Sequence, residues 1–242
     1  MLGSLTSPSN VLALDTSGPA CSLALSTEGQ VLERHETGAR IHNERLLALL
    51  DELFREAALS PRALDCVVLS VGPGAFTGLR IGTSAAQALA FAASAPVLCV
   101  SSLEALALTH QAALAAADLS AVEVLVDARM GELYRATFAL TGDTLEYRDE
   151  DQITTVESLT EGPALSSRWG LIGDGQSLPA LLARGAEVGF RESSNIVRAR
   201  ALLPLVAQRE AGPPEKAVPR YLEGRVRWQP ATAPGTADPS AG

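Results

Sequence analysis

The chain has 242 residues, one to two domains at roughly 150 residues each, and its 47% apolar and 19% charged residues exclude a chain disordered throughout. Lys plus Arg number 19 against 28 Asp plus Glu, a net charge of −9, and aromatics make up only 4%. A general surface for gripping nucleic acid needs a basic stripe or a stacking platform, and this composition excludes both.

In chain order, the opening MLGSLTSPSN has no cationic segment and no apolar run of signal-peptide length, which predicts no leader. Val11 to Asp15, Ala20 to Leu25 and Gln30 to Glu36 are short runs split by Ser17-Gly18-Pro19 and Glu28-Gly29. They predict a three-stranded antiparallel meander. From Asn43 to Leu59 the spacing changes. Leu46, Leu49, Leu50, Leu53, Phe54 and Ala57 recur three and four residues apart, one face of a helix with Asn43 as its N-cap. Leu47 and Ala48 widen that stripe beyond what one face needs. Ser60-Pro61 ends the helix.

Cys66 to Val71 reads as a strand covered on both faces, Leu79 to Ala93 as a helix and Val97 to Val100 as the next strand. The Ala85–Val100 stretch comes nearest to a membrane span, but it holds Gln87, Ser94 and Pro96, so no span is expected. The order of three meander strands, helix, strand, helix, strand predicts a mixed α/β sheet of the ribonuclease-H-like type. Further on, Ser102 to Ala117 reads as a helix, and Val122 to Val126 and Leu133 to Phe138 as strands around an Asp127–Gly131 turn. Gly170 to Gly175 is a short strand into a Gly turn, and Ser177 to Arg184 and Ala199 to Glu210 read as helices. Residues 230–242, rich in Pro, Ala, Gly and Thr, predict a disordered tail.

Asp15-Thr16-Ser17 closes the first strand. An acid there can hold Mg²⁺ while turn N–H and hydroxyl groups hold phosphate; equally, these residues serve a turn through local backbone hydrogen bonds. Gly72-Pro73-Gly74 with Gly78 lacks both the GK[ST] ending of a P-loop and GxGxxG spacing, so it reads as a tight turn with close helix packing. His35, His42 and His110 do not pair at zinc-site spacing, and no GxSxG exposes a nucleophile. Cys21, Cys66 and Cys99 fit a reducing compartment. Arg220, Arg225 and Arg227 around Tyr221 read as an RNA-contacting cluster or as solvent-facing arginines.

The motifs VLALDTSGPACSLAL, IHNERLLALLDELF, GPGAFTGLRIGTSAAQALA, DARMGELY and PRYLEGR stand in this order over residues 11–228. Together they resemble the TsaB (YeaZ) family of tRNA threonylcarbamoyladenosine biosynthesis proteins. The resemblance implies an actin-like ATPase (ASKHA) fold of two related lobes with the second reduced: residues 10–101 completed by 216–229, then 102–215. It places Asp15, Thr16 and Ser17 in the first phosphate-loop region, Asp127 in the second, and Gly173, Asp174 and Gly175 in an adenosine-side turn, all vestigial. It implies a cytoplasmic complex with a TsaD-like paralog, which transfers threonylcarbamoyl to N6 of the adenosine beside the anticodon, and with a TsaE-like ATPase. A homodimer through the same helices is a further expectation. ATP or ADP and tRNA enter at the level of the complex.

TsaD-like enzymes bind metal through a His-x-Glu-x-His-like segment, and Ser102-Leu103-Glu104-Ala105-Leu106 stands in that place here. Leucine offers no lone pair, so neither catalytic residues nor a metal site are expected. The expected role is a non-catalytic subunit. The alternative is an independent ATPase or kinase of this fold, or a glycoprotease-like metallopeptidase. The expected partner surface combines Leu46, Leu47, Leu49, Leu50, Leu53 and Phe54 of one helix with Leu79, Arg80, Ala85, Ala86 and Leu89 of the next.

Overall fold

The structure is a computed structural model that describes residues 8–142, 144–161, 166–174 and 188–222. The meander forms as the alternation demands: β1 (Val11–Asp15), β2 (Ala20–Thr27) and β3 (Gln30–Thr37) pair antiparallel, with Asp15 opposite Ser22. Helix α1 (Ile41–Glu56) follows, then β4 (Cys66–Gly72), α2 (Phe76–Ala93) and β5 (Val97–Ser101). Strand β4 joins β1 in parallel and β5 joins β4, so the sheet order is β3-β2-β1-β4-β5. Covering on both faces explains the uninterrupted apolar runs of β1 and β4. On β1, Leu12 and Leu14 point to the α1/α2 layer, and Val11 and Ala13 to the opposite one.

A second sheet repeats this plan. Strands β6 (Ala121–Arg129), β7 (Glu132–Thr141) and β8 (Thr144–Thr155) form an antiparallel meander. After α5 (Val156–Glu161), β9 (Trp169–Gly173) lies parallel to β6 and β10 (Phe190–Glu192) parallel to β9. The order β8-β7-β6-β9-β10 matches the first sheet strand for strand. Asp15 and Asp127 therefore occupy equivalent places, at or near the end of the first strand of each meander. Among the described residues the copies differ in proportion: α5 has 6 residues where α1 has 16 and β10 has 3 where β5 has 5, while β6, β7 and β8 are longer than β1, β2 and β3.

Between the sheets run α3 (Ser102–Thr109) and α4 (Gln111–Ala116). One core joins Ala13 and Val68 of the first sheet, Leu103 and Leu106 of α3, and Val124, Phe138 and Ile172 of the second. The chain then returns to the first sheet. The Ala199 N–H donates to Ser22 Oγ (2.9 Å), Val97 and Gly212 exchange backbone hydrogen bonds (2.8 and 2.9 Å), and the Arg220 N–H donates to the Val71 carbonyl (2.7 Å).

Several expectations needed correction. Helix α1 starts at Ile41, after Arg40 in the left-handed region (φ 58°), so Asn43 lies inside the helix and is not its cap. Helix α2 begins at Phe76, since Gly78 is tolerated within its first turns. The expected Ser102–Ala117 helix breaks at His110 (φ −106°). The stretch Ala199–Ala207 is 3₁₀ and contains Pro204, which has no N–H for a helical bond. The hairpin between β6 and β7 is tighter than expected, with only Met130 and Gly131 at its tip, both at positive φ (54° and 82°). Strand β8 had no counterpart among the expected elements. Its TLEYRDEDQITT lies mostly exposed at a sheet edge and has too few apolar residues to alternate. The expected Ser177–Arg184 helix and the 230–242 tail lie outside the described residues.

Candidate functional site: two aspartate turns and a helical face

The first turn is closed. Asp15 is 1% exposed; its carboxylate accepts from Ser17 Oγ (2.8 Å) and the Ser17 N–H (3.3 Å). Burial pushes its carboxyl above the usual range, against hydrogen bonds from Ser70 and Ser17 and the nearby His42. Thr16 Oγ1 donates to the Gly78 carbonyl (2.8 Å), and the Ala75 N–H donates to the Ser17 carbonyl (2.7 Å). A Cβ at Gly74 would collide with the Ser17 carbonyl, one at Gly78 with the Thr16 carbonyl, and one at Gly82 with Thr16 Oγ1. These glycines, spaced by four, let the start of α2 lie directly on the turn. His42 of α1 closes the same turn, its Nε2 3.0 Å from the Gly18 carbonyl. The glycine-rich segment thus packs directly against this turn.

The second turn brings together Asp127, expected in the second phosphate-loop region, and Asp174, expected in the adenosine-side turn. The Asp127 N–H donates to Asp174 Oδ2 (2.8 Å), while the Asp127 carboxylate accepts from the Arg129 N–H (2.8 Å) and pairs with its guanidinium (3.3 Å). Gly173 packs against β6, where a Cβ would strike the Leu125 carbonyl. Gly175 lies outside the described residues. Beside the turn is an open hollow of about 300 Å³ lined by Asp127, Met130, Glu132 and Val156. Burial, with the charges of Glu132 and Asp127, pushes the nearby Tyr134 phenol up.

In the expected place of the metal-binding segment, Ser101 caps α3 by accepting from the Leu103 and Glu104 N–H groups (3.1 and 3.4 Å). Ser102 and Leu106 are buried, and both Glu104 oxygens accept from the guanidinium of Arg209. Among the described residues no three His, Cys, Asp or Glu side chains converge as a metal-ligating group. A polar cluster unforeseen in the sequence lies next to this place. Asp151 of β8 accepts from Arg220 (3.1 Å) and from the Tyr147 hydroxyl (3.4 Å), and burial raises both the Asp151 carboxyl and the Tyr147 phenol. Three acids and a tyrosine within six residues of a polar strand carry no signal for which of them turns inward. Of the arginine cluster, Arg220 is thus a structural pair, and Arg225 and Arg227 lie outside the described residues.

The expected partner surface divides. Leu46, Leu49, Leu50, Leu53 and Phe54 are buried against α1's own sheet, and Leu79 and Ala86 are buried under α2. These seven belong to the internal core, because their three- and four-residue spacing is the stripe that faces β1, β2 and β4. Leu47 lies off that stripe and is 77% exposed. Ala85 and Leu89 are half-buried. Arg80 is exposed, with its guanidinium 3.9 Å over the Phe76 ring and its Nε donating to Tyr221 Oη (3.1 Å). An apolar groove of about 390 Å³ crosses this face, lined by Leu47, Leu50, Phe54, Leu59 and Leu89.

Two mixed sheets of one strand order, each with an aspartate turn at its first strand, define a protein of the two-lobed actin-like, ribonuclease-H-like class. Residues 34–178 match the family described as TsaD, tRNA N6-adenosine threonylcarbamoyltransferase. The tRNA threonylcarbamoyladenosine biosynthesis protein TsaB of Escherichia coli is 30% identical over 226 residues, 90% of this chain and 96% of that protein. TsaB of Haemophilus influenzae is 41% identical over 51% of each chain. The solved structure of YeaZ from Pseudomonas aeruginosa is 32% identical and superposes with a TM-score of 0.73 over 88% of this chain and all of that one. The chain belongs to the TsaB family of tRNA threonylcarbamoyladenosine biosynthesis proteins.

Proposed function

We propose that this chain is a non-catalytic subunit in the synthesis of threonylcarbamoyladenosine in tRNA, and that it docks a TsaD-type transferase through the outer face of α1 and α2. The observation that carries this is Leu47, held 77% exposed at an apolar groove on helices whose inner faces are already satisfied. The closed Asp15 turn and the pairing of Glu104 with Arg209 support a role without chemistry of its own. A TsaE-like ATPase, and tRNA held by the whole complex, complete the reading; the net charge of −9 is consistent with RNA being gripped elsewhere. Among the described residues no helix is long and apolar enough to cross a membrane, in keeping with a cytoplasmic complex.

The test is reconstitution of tRNA modification with the TsaD-type protein of the same organism. The wild-type chain alone makes no modified tRNA and restores activity on mixing. Leu47→Glu keeps the fold and loses both binding and restoration. A folded Leu47→Glu protein that binds and restores normally rules out this face.

A further inference from the structure

The closed turn has a second consequence, resting on the docking reading above. Helix α2 has two working sides. Its underside near the N-terminus is Gly78 and Gly82, preceded by Gly74 just before the helix, all set closely against Ser17 and Thr16; its other side presents Leu89 beside Leu47 of α1. The underside leaves no slack, since each of the three glycines would drive a Cβ into an atom of the turn. Thr16 holds the helix in a second way, by donating its hydroxyl hydrogen to the Gly78 carbonyl. Helix α1 rests on the same turn: its His42 lies 3.0 Å from the Gly18 carbonyl and 3.1 Å from where a Gly78 Cβ would be. Besides their packing on the sheet, both helices of the docking face are thus tied to one turn, whose Asp15, Thr16 and Ser17 are buried.

We infer that Thr16 is a positioning residue for the docking face, and that the turn it belongs to serves as the seat that sets the α1/α2 geometry a partner reads. Docking across two packed helices requires shape matching at close range, so a shift of about 1 Å in α2 is felt at Leu89 without unfolding the sheet beneath.

The test is a suppressor pair in the full chain, read as affinity for the TsaD-type partner alongside circular dichroism and melting temperature. Gly82→Ala places a methyl against Thr16 Oγ1 and lifts α2; the expected result is a folded protein with affinity reduced about tenfold, the order of one methyl forced into a close-packed contact. Adding Thr16→Ala removes Oγ1 and Cγ2 and leaves Thr16 Cβ as the nearest of these atoms, at 3.3 Å, so the double variant recovers most of the lost affinity. A merely structural role lowers the melting temperature of Gly82→Ala and leaves its affinity intact well below that temperature. That outcome, or a loss of affinity that Thr16→Ala does not relieve, overturns the inference. Should Gly82→Ala fail to fold, Thr16→Ala alone decides, because it frees α2 from the Gly78 carbonyl: weaker binding by a folded protein supports the inference, and wild-type binding overturns it. Leu47→Glu, measured in parallel, separates the two levels. If Leu47→Glu abolishes binding and Gly82→Ala does not change it, only the seat is wrong; if Leu47→Glu binds normally, the docking face itself is wrong and the seat falls with it.

Discussion

Asp15 closes β1, and it is 1% exposed and bonded to its own turn. Burial raises its carboxyl above the ordinary 3.8, so the folded chain holds that proton more tightly than the unfolded chain does. The stabilisation is complete below the unfolded value and is lost as pH rises through the raised one. Asp15→Asn removes the titration and keeps the shape. Unfolding free energies from urea titrations, measured from about pH 4 upward, are expected to fall less steeply for Asp15→Asn than for the wild type, by about 1.4 kcal/mol for each unit of raised pKa. Asp151, also raised, is present in both proteins and cancels in the difference. Parallel profiles would mean that Asp15 does not titrate in that range. The sequence placed an acid at this turn and left open whether it serves a ligand or the turn; the choice rests on Gly74, Gly78 and Gly82, some sixty residues away.

At the scale of elements, α1 shows how much a helical pattern settles and where it stops. Leu46, Leu49, Leu50, Leu53 and Phe54 form one stripe, and burying such side chains stabilises by about 1.5–3 kcal/mol each. Periodicity finds the stripe but does not tell a helix covering its own sheet from one offering the stripe to a partner. The tertiary answer is divided, with Leu50 inside and Leu47 outside. Leu50→Ala is expected to lower unfolding free energy by about 2–5 kcal/mol and Leu47→Ala by less than about 0.5 kcal/mol, both read by chemical denaturation. Similar losses at the two positions would refute the assignment of faces. Strand β8 illustrates the opposite case. Its polar sequence hides an element that the β6–β7 hairpin recruits by edge pairing, and only that pairing turns Asp151 inward toward Arg220.

Across the whole molecule, the two sheets share an apolar core with α3 between them, so separating the lobes would expose that core to water. One cooperative transition is expected. Leu106, at the centre of that core, is the place to test it. In a Trp228→Phe background, where Trp169 of β9 is the one tryptophan, Leu106→Ala should shift the far-UV dichroism midpoint, weighted toward α1 and α2, and the fluorescence midpoint together, at a loss of about 2–5 kcal/mol. Two separated midpoints would show lobes that fold independently. The C-terminal return adds to the coupling. Arg220 hydrogen-bonds through its backbone to β4 of the first sheet and pairs through its side chain with β8 of the second.

The sequence by itself determined the first lobe: its meander, its two helices, the run of apolar strands and the family, all carried by short-range period and by motifs in a fixed order. It also located both aspartate turns, because Asp15 and Asp127 each follow a short apolar run. Only the tertiary structure decided that the second sheet repeats the first, that Asp15 is sealed, that Glu104 is matched by Arg209, and that seven of the eleven expected partner residues face inward. The physical reason is common to all four. A local pattern records which side chains share a face, whereas the object that covers that face comes from chain far away in sequence: α2 for the Asp15 turn, residue 209 for Glu104, the first sheet for α1.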